Sequence, residues 1–141
     1  MSWVLDSSAA LAWVHADEEA AGLDPVFDRI GAEGAHVPAL WYLEVANALT
    51  MALRRGRITE AFRTAALEGL ADLDLAIDLE TATQAWAATL RLADLHRLTV
   101  YDAAYLELAQ RLRLPLVTLD AALVEAARAA GVAVVPSDGT G

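Results

Sequence analysis

The sequence predicts an α/β fold in which helices cover both faces of a parallel sheet. Short apolar runs typical of strands alternate along the chain with longer helical segments, and the last of these runs, around Val134 and Val135, is continuously apolar. Alternation of this kind is typical of parallel sheets. An unbroken apolar run is expected of a strand that is covered on both faces. We therefore expect a central parallel sheet of about five strands and about seven helices.

The individual strands are predicted from apolar runs bounded by turn residues. They fall at residues 2–6, 36–37, 75–79, 116–119 and 132–135. The helices are predicted from capping residues at their starts and from Gly or Pro at their ends. They fall at residues 9–15, 17–30 with a break near Pro25, 40–55, 59–72, 81–96, 100–112 and 121–130. Gly56 and Gly131 are the expected stops of two of these helices.

Length and composition indicate one compact domain. The chain has 141 residues, 57% of them hydrophobic, which argues against disorder. We expect a single domain at residues 1–136 and a flexible tail at residues 137–141. No charge-free stretch approaches the roughly 20 residues that a membrane span needs, and the N-terminus shows no signal-peptide pattern. The lack of cysteine excludes disulfides and thiolate metal sites, and it fits a cytoplasmic location.

The charge balance limits the partners that the chain can bind. Its net charge is −10, the wrong sign for a general nucleic-acid binder, whose affinity comes from neutralising phosphates. Binding to RNA would therefore need a local basic patch together with a bound metal ion. The densest basic group is Arg54, Arg55 and Arg57. Two interpretations stay open for it: a helix C-terminus favoured by the helix dipole, or a surface that contacts phosphates.

Four carboxylates are the candidate site residues. Asp6 and Asp120 each end a predicted strand, Glu44 lies on the apolar stripe of a helix, and Asp102 lies near the start of another helix. In an open parallel sheet the carboxyl ends of the strands face the ligand crevice. Acids gathered there repel one another unless a cation joins them, and an all-oxygen cluster suits Mg²⁺ or Mn²⁺. The pattern thus favours metal-dependent phosphodiester chemistry.

Each acid also has a plainer interpretation. Asp6 and Asp120 suit helix caps, and Asp102 suits the third helical position of a capping box that begins at Thr99. A salt bridge to an arginine would explain Glu44, because a buried, unpaired carboxylate is costly. The four acids together are stronger evidence for a metal site than any one of them alone.

Three polar residues are candidates for a supporting or substrate-contacting role. Ser8 and Thr118 flank the two strand-end acids, and Asn47 lies one helical turn after Glu44. The three histidines are far apart and lack a zinc spacing, so we assign them no catalytic part.

Four segments resemble the PIN-domain ribonucleases, most closely the VapC-type toxins of prokaryotic toxin–antitoxin pairs. They are Val4-Leu5-Asp6-Ser7-Ser8-Ala9, Leu43-Glu44-Val45-Ala46-Asn47-Ala48-Leu49, Leu98-Thr99-Val100-Tyr101-Asp102-Ala103-Ala104-Tyr105-Leu106 and Leu116-Val117-Thr118-Leu119-Asp120. The match runs in order over essentially the whole chain, and the last two blocks together are fairly specific.

The resemblance implies a three-layer α/β/α fold and an endoribonuclease toxin. It implies that Asp6, Glu44, Asp102 and Asp120 surround one or two Mg²⁺ or Mn²⁺ ions, with Ser8 and Thr118 beside them. It also implies an RNA substrate, a small VapB-like antitoxin as inhibitory partner, and a homodimer. The main alternative is a PIN-like module that binds protein or RNA without cleaving it.

Two other acid-bearing α/β families fit poorly. A phospho-accepting receiver domain needs a lysine near its last strand, and the chain contains no lysine. A haloacid-dehalogenase-type phosphatase needs a second Asp two residues after Asp6, where this chain has Ser8.

Overall fold

A computed structural model describes residues 2–16 and 22–136. In it five strands form one all-parallel sheet. They are β1 (Val4–Leu5), β2 (Ala35–Val37), β3 (Leu75–Ile77), β4 (Leu116–Val117) and β5 (Val134–Val135). Their order across the sheet is β3-β2-β1-β4-β5, and Val4 of the central strand pairs with His36 on one side and Leu116 on the other.

Eight helices connect the strands in the described part of the chain. They are α1 (Ser7–His15), α2 (Asp24–Glu33), α3 (Trp41–Arg54), α4 (Glu60–Ala71), α5 (Thr81–Ala85), α6 (Ala88–His96), α7 (Val100–Leu112) and α8 (Ala121–Ala129). Helices α1, α3 and α4 contact one another, and α5 to α8 form a second packed group in which α7 lies against β1 and β4. The predicted three-layer α/β/α arrangement with a five-stranded parallel sheet is therefore confirmed.

The topology creates one crevice at the edge of the sheet. The chain runs outward from β1 through β2 to β3, then returns to build β4 and β5 on the other side of β1. Right-handed crossovers place the connections of these two halves on opposite faces of the sheet. The connections therefore diverge between β1 and β4, where ligands of such folds bind, at the carboxyl ends of the strands. Asp6 and Thr118 directly follow these two strands.

The core explains why the central strands are apolar. Val4, Leu5, Leu116 and Val117 are completely buried, as expected of strands covered by helices on both faces. Residues of the edge strand β3 are half-buried or exposed.

Most predicted boundaries agree with the structure to within two or three residues. The α7 bounds are those predicted, and α3 ends as expected before Gly56, whose φ of 72° lies in the left-handed region that favours glycine. Pro25 lies in the first turn of α2, where it costs no helical hydrogen bond. The start of the predicted helix at residues 17–21 and the predicted tail at residues 137–141 lie outside the described residues.

One helix that was predicted to be continuous is interrupted in the structure. The segment predicted as a single helix at residues 81–96 is two helices, α5 and α6, separated at Trp86 and Ala87. Ala87 adopts φ −119° and ψ −106°, which is not helical. Both helices pack against α7, so the break changes direction while α7 stays covered. No Gly or Pro marks this site, and the local sequence gave no signal for the break.

A cluster around Arg111 ties the second helical layer to the sheet edge. Its guanidinium donates to Asp78 at 2.7 Å, to Glu107 at 2.8 Å and to Glu80 at 3.0 Å. Burial raises the pKa of Asp78, but hydrogen bonds from Arg111, the Glu80 N–H and the Thr81 hydroxyl outweigh it and bring that pKa below its ordinary value. Arg111 therefore links α7 to the turn after β3.

Replacing Arg111 with Gln is expected to lower the free energy of unfolding by about 2 kcal/mol at pH 7, because Asp78 and the buried Glu107 lose their cation. The lowered pKa of Asp78 stabilises the fold only while that carboxyl is ionised. The difference between Arg111→Gln and wild type should therefore shrink as the pH falls toward 3. Urea unfolding at pH 7 and pH 3 checks this, with exposed Arg113→Gln as the control. A difference that grows in acid would contradict it.

Among the described residues, no helix is both long and apolar enough to cross a membrane.

Candidate acidic site at the sheet edge

Asp6 is the most buried of the four predicted acids. It follows β1, its N–H donates to the Val117 carbonyl oxygen at 2.9 Å, and the residue is 2% exposed. It occupies the N-cap position of α1, yet its side chain makes no capping hydrogen bond. The interpretation of this carboxylate as a cap is therefore wrong, and its bonds go elsewhere.

Two hydroxyl groups hold the Asp6 carboxylate. Ser8 Oγ donates to Asp6 Oδ2 at 2.5 Å, and Thr118 Oγ1 donates to the same oxygen at 2.7 Å. Each hydroxyl also accepts a backbone N–H from the turn after β4: Ser8 from Leu119 at 3.2 Å, and Thr118 from Asp120 at 3.1 Å. Because each hydroxyl oxygen already accepts an N–H, its own proton can be donated to Asp6. Both bonds use Oδ2, and no donor in the described part of the chain binds Oδ1.

Glu44 is held by a tyrosine rather than by an arginine. The Tyr105 hydroxyl donates to Glu44 Oε1 at 2.5 Å, and Ser7 Oγ donates to the same oxygen at 3.5 Å. None of the salt bridges between described residues involves Glu44. The salt-bridge interpretation therefore fails.

Tyr105 and Ser7 had no predicted role. Tyr105 is completely buried on α7, three residues after Asp102, which places both on one helix face. That spacing from a candidate acid was the available sequence signal for Tyr105. Ser7 lies beside Asp6, but its bond to Glu44 spans 37 positions of the chain and needs the folded structure to be seen.

Asp102 and Asp120 begin helices, as their local patterns predict. The Thr99 side chain accepts the Asp102 N–H at 3.1 Å, and Asp120 Oδ1 accepts the Leu123 N–H at 3.0 Å. Asp120 thus caps α8 with its own carboxylate, whereas Thr99 caps α7 and Asp102 lies in the first turn of that helix. Asn47 lies exposed on α3, one turn beyond Glu44, and has no recorded contact with the four acids.

The electrostatics show that the four acids face one another. The pKa of Asp6 is raised to about 6, mainly by burial and also by the charges of Asp102 and Glu44, which together outweigh the Ser8 and Thr118 hydrogen bonds. Burial and the Asp102 charge also raise the pKa of Glu44, against the bond from Tyr105. Burial and the Asp120 charge raise the pKa of Asp102. The negative potential at this edge therefore disfavours ionisation of Asp6, Glu44 and Asp102, which a bound cation would relieve.

The donor set fits a hard divalent cation, but the side chains do not already form a closed cage. Within residues 2–16 and 22–136, no group of three or more acidic or histidine side chains lies close enough together to hold a metal ion by itself. Mg²⁺ usually binds through one or two carboxylates and keeps several waters, so it does not need such a cage. The oxygen donors, their mutual repulsion and the free Oδ1 of Asp6 suit this mode of binding.

The fold and the site define a three-layer α/β/α protein with an acidic crevice between β1 and β4. The sequence profile of the PIN domain matches residues 3–129. The chain belongs to the PIN-domain family, as the four sequence blocks predict.

Two known proteins of Pyrobaculum aerophilum are similar to the chain. Ribonuclease VapC3 is 33% identical over 125 residues, which cover 89% of this chain and 94% of that protein. This confirms the predicted similarity to VapC-type members of the family. The crystal structure of PAE2754 matches with a TM-score of 0.70 and 25% identity, covering 96% of this chain and 90% of that one.

Proposed function

We propose that the chain is a Mg²⁺- or Mn²⁺-dependent endoribonuclease toxin that hydrolyses RNA phosphodiesters in the cytoplasm. The observation that carries the proposal is the convergence of Asp6, Glu44, Asp102 and Asp120 from four separate segments, with three of their pKa values raised by burial and by one another. Similarity to a VapC-type ribonuclease supports the substrate class.

The mechanism depends on how the chain fixes its carboxylates. When bound, the metal ion lowers the pKa of a water molecule and offsets charge on the phosphate. Asp6, Glu44, Asp102 and Asp120 would hold it through their carboxylate oxygens. The Ser8 and Thr118 hydroxyls lock Asp6 through Oδ2 and leave Oδ1 free for a ligand. Tyr105 orients Glu44 in the same way. The exposed Asn47 amide, one turn beyond Glu44, would contact the substrate.

The proposal is tested by incubating wild-type protein with a panel of structured and single-stranded RNAs in Mg²⁺ or Mn²⁺, with and without EDTA. Cleavage that EDTA abolishes supports it. Folded protein that cleaves no RNA at any metal concentration would contradict it and favour the alternative, a PIN module that only binds protein or RNA. Circular dichroism establishes that the protein is folded.

Removing the Tyr105 hydroxyl should slow cleavage about 10- to 100-fold, the usual effect of losing a partner that orients a metal ligand. Tyr105→Phe keeps the buried ring and deletes only the hydrogen bond to Glu44. Single-turnover rates check this, with Tyr42→Phe as the control because Tyr42 is half exposed on α3. Equal cleavage rates for Tyr105→Phe and wild type would show that the Tyr105 hydroxyl has no role in cleavage.

The inhibitory partner that we propose is a small VapB-like antitoxin. The four acids form no salt bridge with any described residue, so their charge stays available to a cationic group from another chain. An arginine of the antitoxin would pair with them and exclude both metal and RNA. EDTA-sensitive cleavage should accordingly stop on addition of the antitoxin encoded beside this chain.

We also propose a homodimer formed through the apolar surface of residues 77–90. Leu79 and Trp86 are each 92% exposed, and Ile77 of the edge strand is 48% exposed. Exposed apolar groups of this size mark interaction surfaces, and a two-fold axis would place each patch against its copy.

Trp86→Ser is expected to weaken the dimer at least 30-fold, because a buried tryptophan at an interface commonly contributes 2 kcal/mol or more. Sedimentation velocity over a concentration series measures the shift from dimer to monomer. Leu95→Ser is the control, since Leu95 is 73% exposed at the end of α6. A Trp86→Ser protein as dimeric as wild type would place the interface elsewhere.

A further inference from the structure

The arginines at the end of α3 are unusual in this acidic chain. Four of its ten arginines fall within residues 54–63, where Glu60 is the single acid. Arg54, Arg55 and Arg57 are exposed, and their side chains form no hydrogen bond or ion pair with a described residue. Arg111, by contrast, contacts three carboxylates. The three exposed arginines are called the α3-end cluster below.

The helix dipole accounts for only part of this cluster. A cation in the last turn of a helix is favoured, but the effect fades beyond that turn. Arg54 lies in the last turn of α3, whereas Arg57 follows Gly56, outside the helix. Three neighbouring positive charges repel one another, and no acid within residues 2–16 and 22–136 forms an ion pair with them. An anion from outside the chain would remove this repulsion.

One surface stripe of α3 connects the cluster with the acidic site. Glu44, Asn47, Met51 and Arg55 recur at spacings of three and four residues, which places them on one face of the helix. All four are exposed or half-buried, whereas Val45 and Leu49 of the same helix point into the core, so Glu44 lies at the border of the apolar stripe and not within it as predicted. From Glu44 to Arg55 the stripe is about 16 Å long at about 1.5 Å per residue. That length corresponds to about five stacked nucleotides at about 3.4 Å each.

We propose that the α3-end cluster binds backbone phosphates of single-stranded RNA several nucleotides away from the bond that is cleaved. This inference rests on the proposed ribonuclease function for the identity of the ligand. The cluster supplies the positive charge that the chain as a whole lacks. The acidic site repels phosphates until a cation is bound, so an anchor at a distance would hold the strand along α3.

The test measures binding of fluorescein-labelled oligouridine of 4, 8 and 12 nucleotides by fluorescence anisotropy at 50 to 300 mM NaCl. An Asp6→Asn background prevents cleavage. Adding Arg54→Gln, Arg55→Gln and Arg57→Gln should weaken binding of the 12-mer about 10- to 100-fold at 0.1 M salt and make the salt slope shallower by about 2, at about 0.7 per lost phosphate contact. The triple variant should also gain less affinity between the 4-mer and the 12-mer than the protein with the three arginines intact.

A triple variant of Arg91, Arg113 and Arg128 to Gln is the control, because these exposed arginines lie on α6 and at the ends of α7 and α8 and their loss removes the same charge. Equal losses in both triple variants would reveal a general charge effect and overturn the proposal. Unchanged affinity in the α3-end variant would also overturn it and leave the cluster to an acidic protein partner. If the cluster binds RNA and wild type cleaves none, the ribonuclease proposal fails and only phosphate binding by the α3-end cluster is supported.

Discussion

Replacing Asp6 with Asn is expected to reduce RNA cleavage more than 100-fold. Asp6 is the most buried of the four acids, and no donor in the described part of the chain binds its Oδ1, which leaves this oxygen available to a metal ion. Losing even a partner of a metal ligand costs 10- to 100-fold, and losing a ligand itself should cost more. Asn preserves the size of the side chain and an oxygen that accepts from Ser8 and Thr118, so the fold should persist.

The matched control for this substitution is Asp28→Asn. Asp28 is exposed on α2, and its side chain forms no hydrogen bond or ion pair with a described residue. The Asp28→Asn protein should cleave RNA at the wild-type rate in Mg²⁺ and in Mn²⁺. If Asp6→Asn retained wild-type rates under the same conditions, the acids would have to be assigned a structural role.

The same Asp6→Asn substitution is expected to stabilise the metal-free protein. Burial raises the pKa of Asp6 to about 6 from an ordinary value of 3.8. The folded state therefore prefers the protonated acid, and stability falls as the pH rises from about 4 to about 6. Above pH 6 the ionised carboxylate costs up to about 3 kcal/mol, at about 1.4 kcal/mol per pKa unit. A neutral Asn avoids that cost.

Urea unfolding in EDTA measures this effect. At pH 7.5, Asp6→Asn should be more stable than wild type by about 1 to 3 kcal/mol, and the gap should close near pH 4, where Asp6 is protonated. Saturating Mg²⁺ should then stabilise wild type more than the variant. If Asp6→Asn is less stable than wild type at pH 7.5, the hydrogen bonds to the wild-type Asp6 carboxylate outweigh the free-energy cost of burying its charge, which would contradict the prediction.

Sequence patterns predicted the architecture because the determinants of the sheet are local. The apolar runs that end at Asp6 and Asp120 mark the two central strands, and strand alternation then implies parallel pairing. Capping signals at Thr99 and Asp120 placed the starts of α7 and α8 within one residue. The break at Ala87 was missed because neither a Gly nor a Pro accompanies it, so packing on α7 decides it.

The sequence predicted which residues meet but not how they are held. All four acids were expected at one edge of the sheet, since the carboxyl ends of parallel strands lie together. The bond between Tyr105 and Glu44 joins residues 61 positions apart, and the bond between Thr118 and Asp6 joins residues 112 apart. Such pairs depend on the register of α3, α7 and β4 in three dimensions. Neither periodicity nor local motifs contain that information.

The most direct test of the acidic site is Mn²⁺ binding, followed by the electron paramagnetic resonance signal of free Mn²⁺ at pH 7.5. Wild type and Asp28→Asn should bind Mn²⁺ equally, and Asp6→Asn should bind it at least tenfold more weakly. Mg²⁺ should compete for the same site. Equal Mn²⁺ affinities in wild type and Asp6→Asn would contradict the assignment of these four carboxylates as the metal site of a ribonuclease.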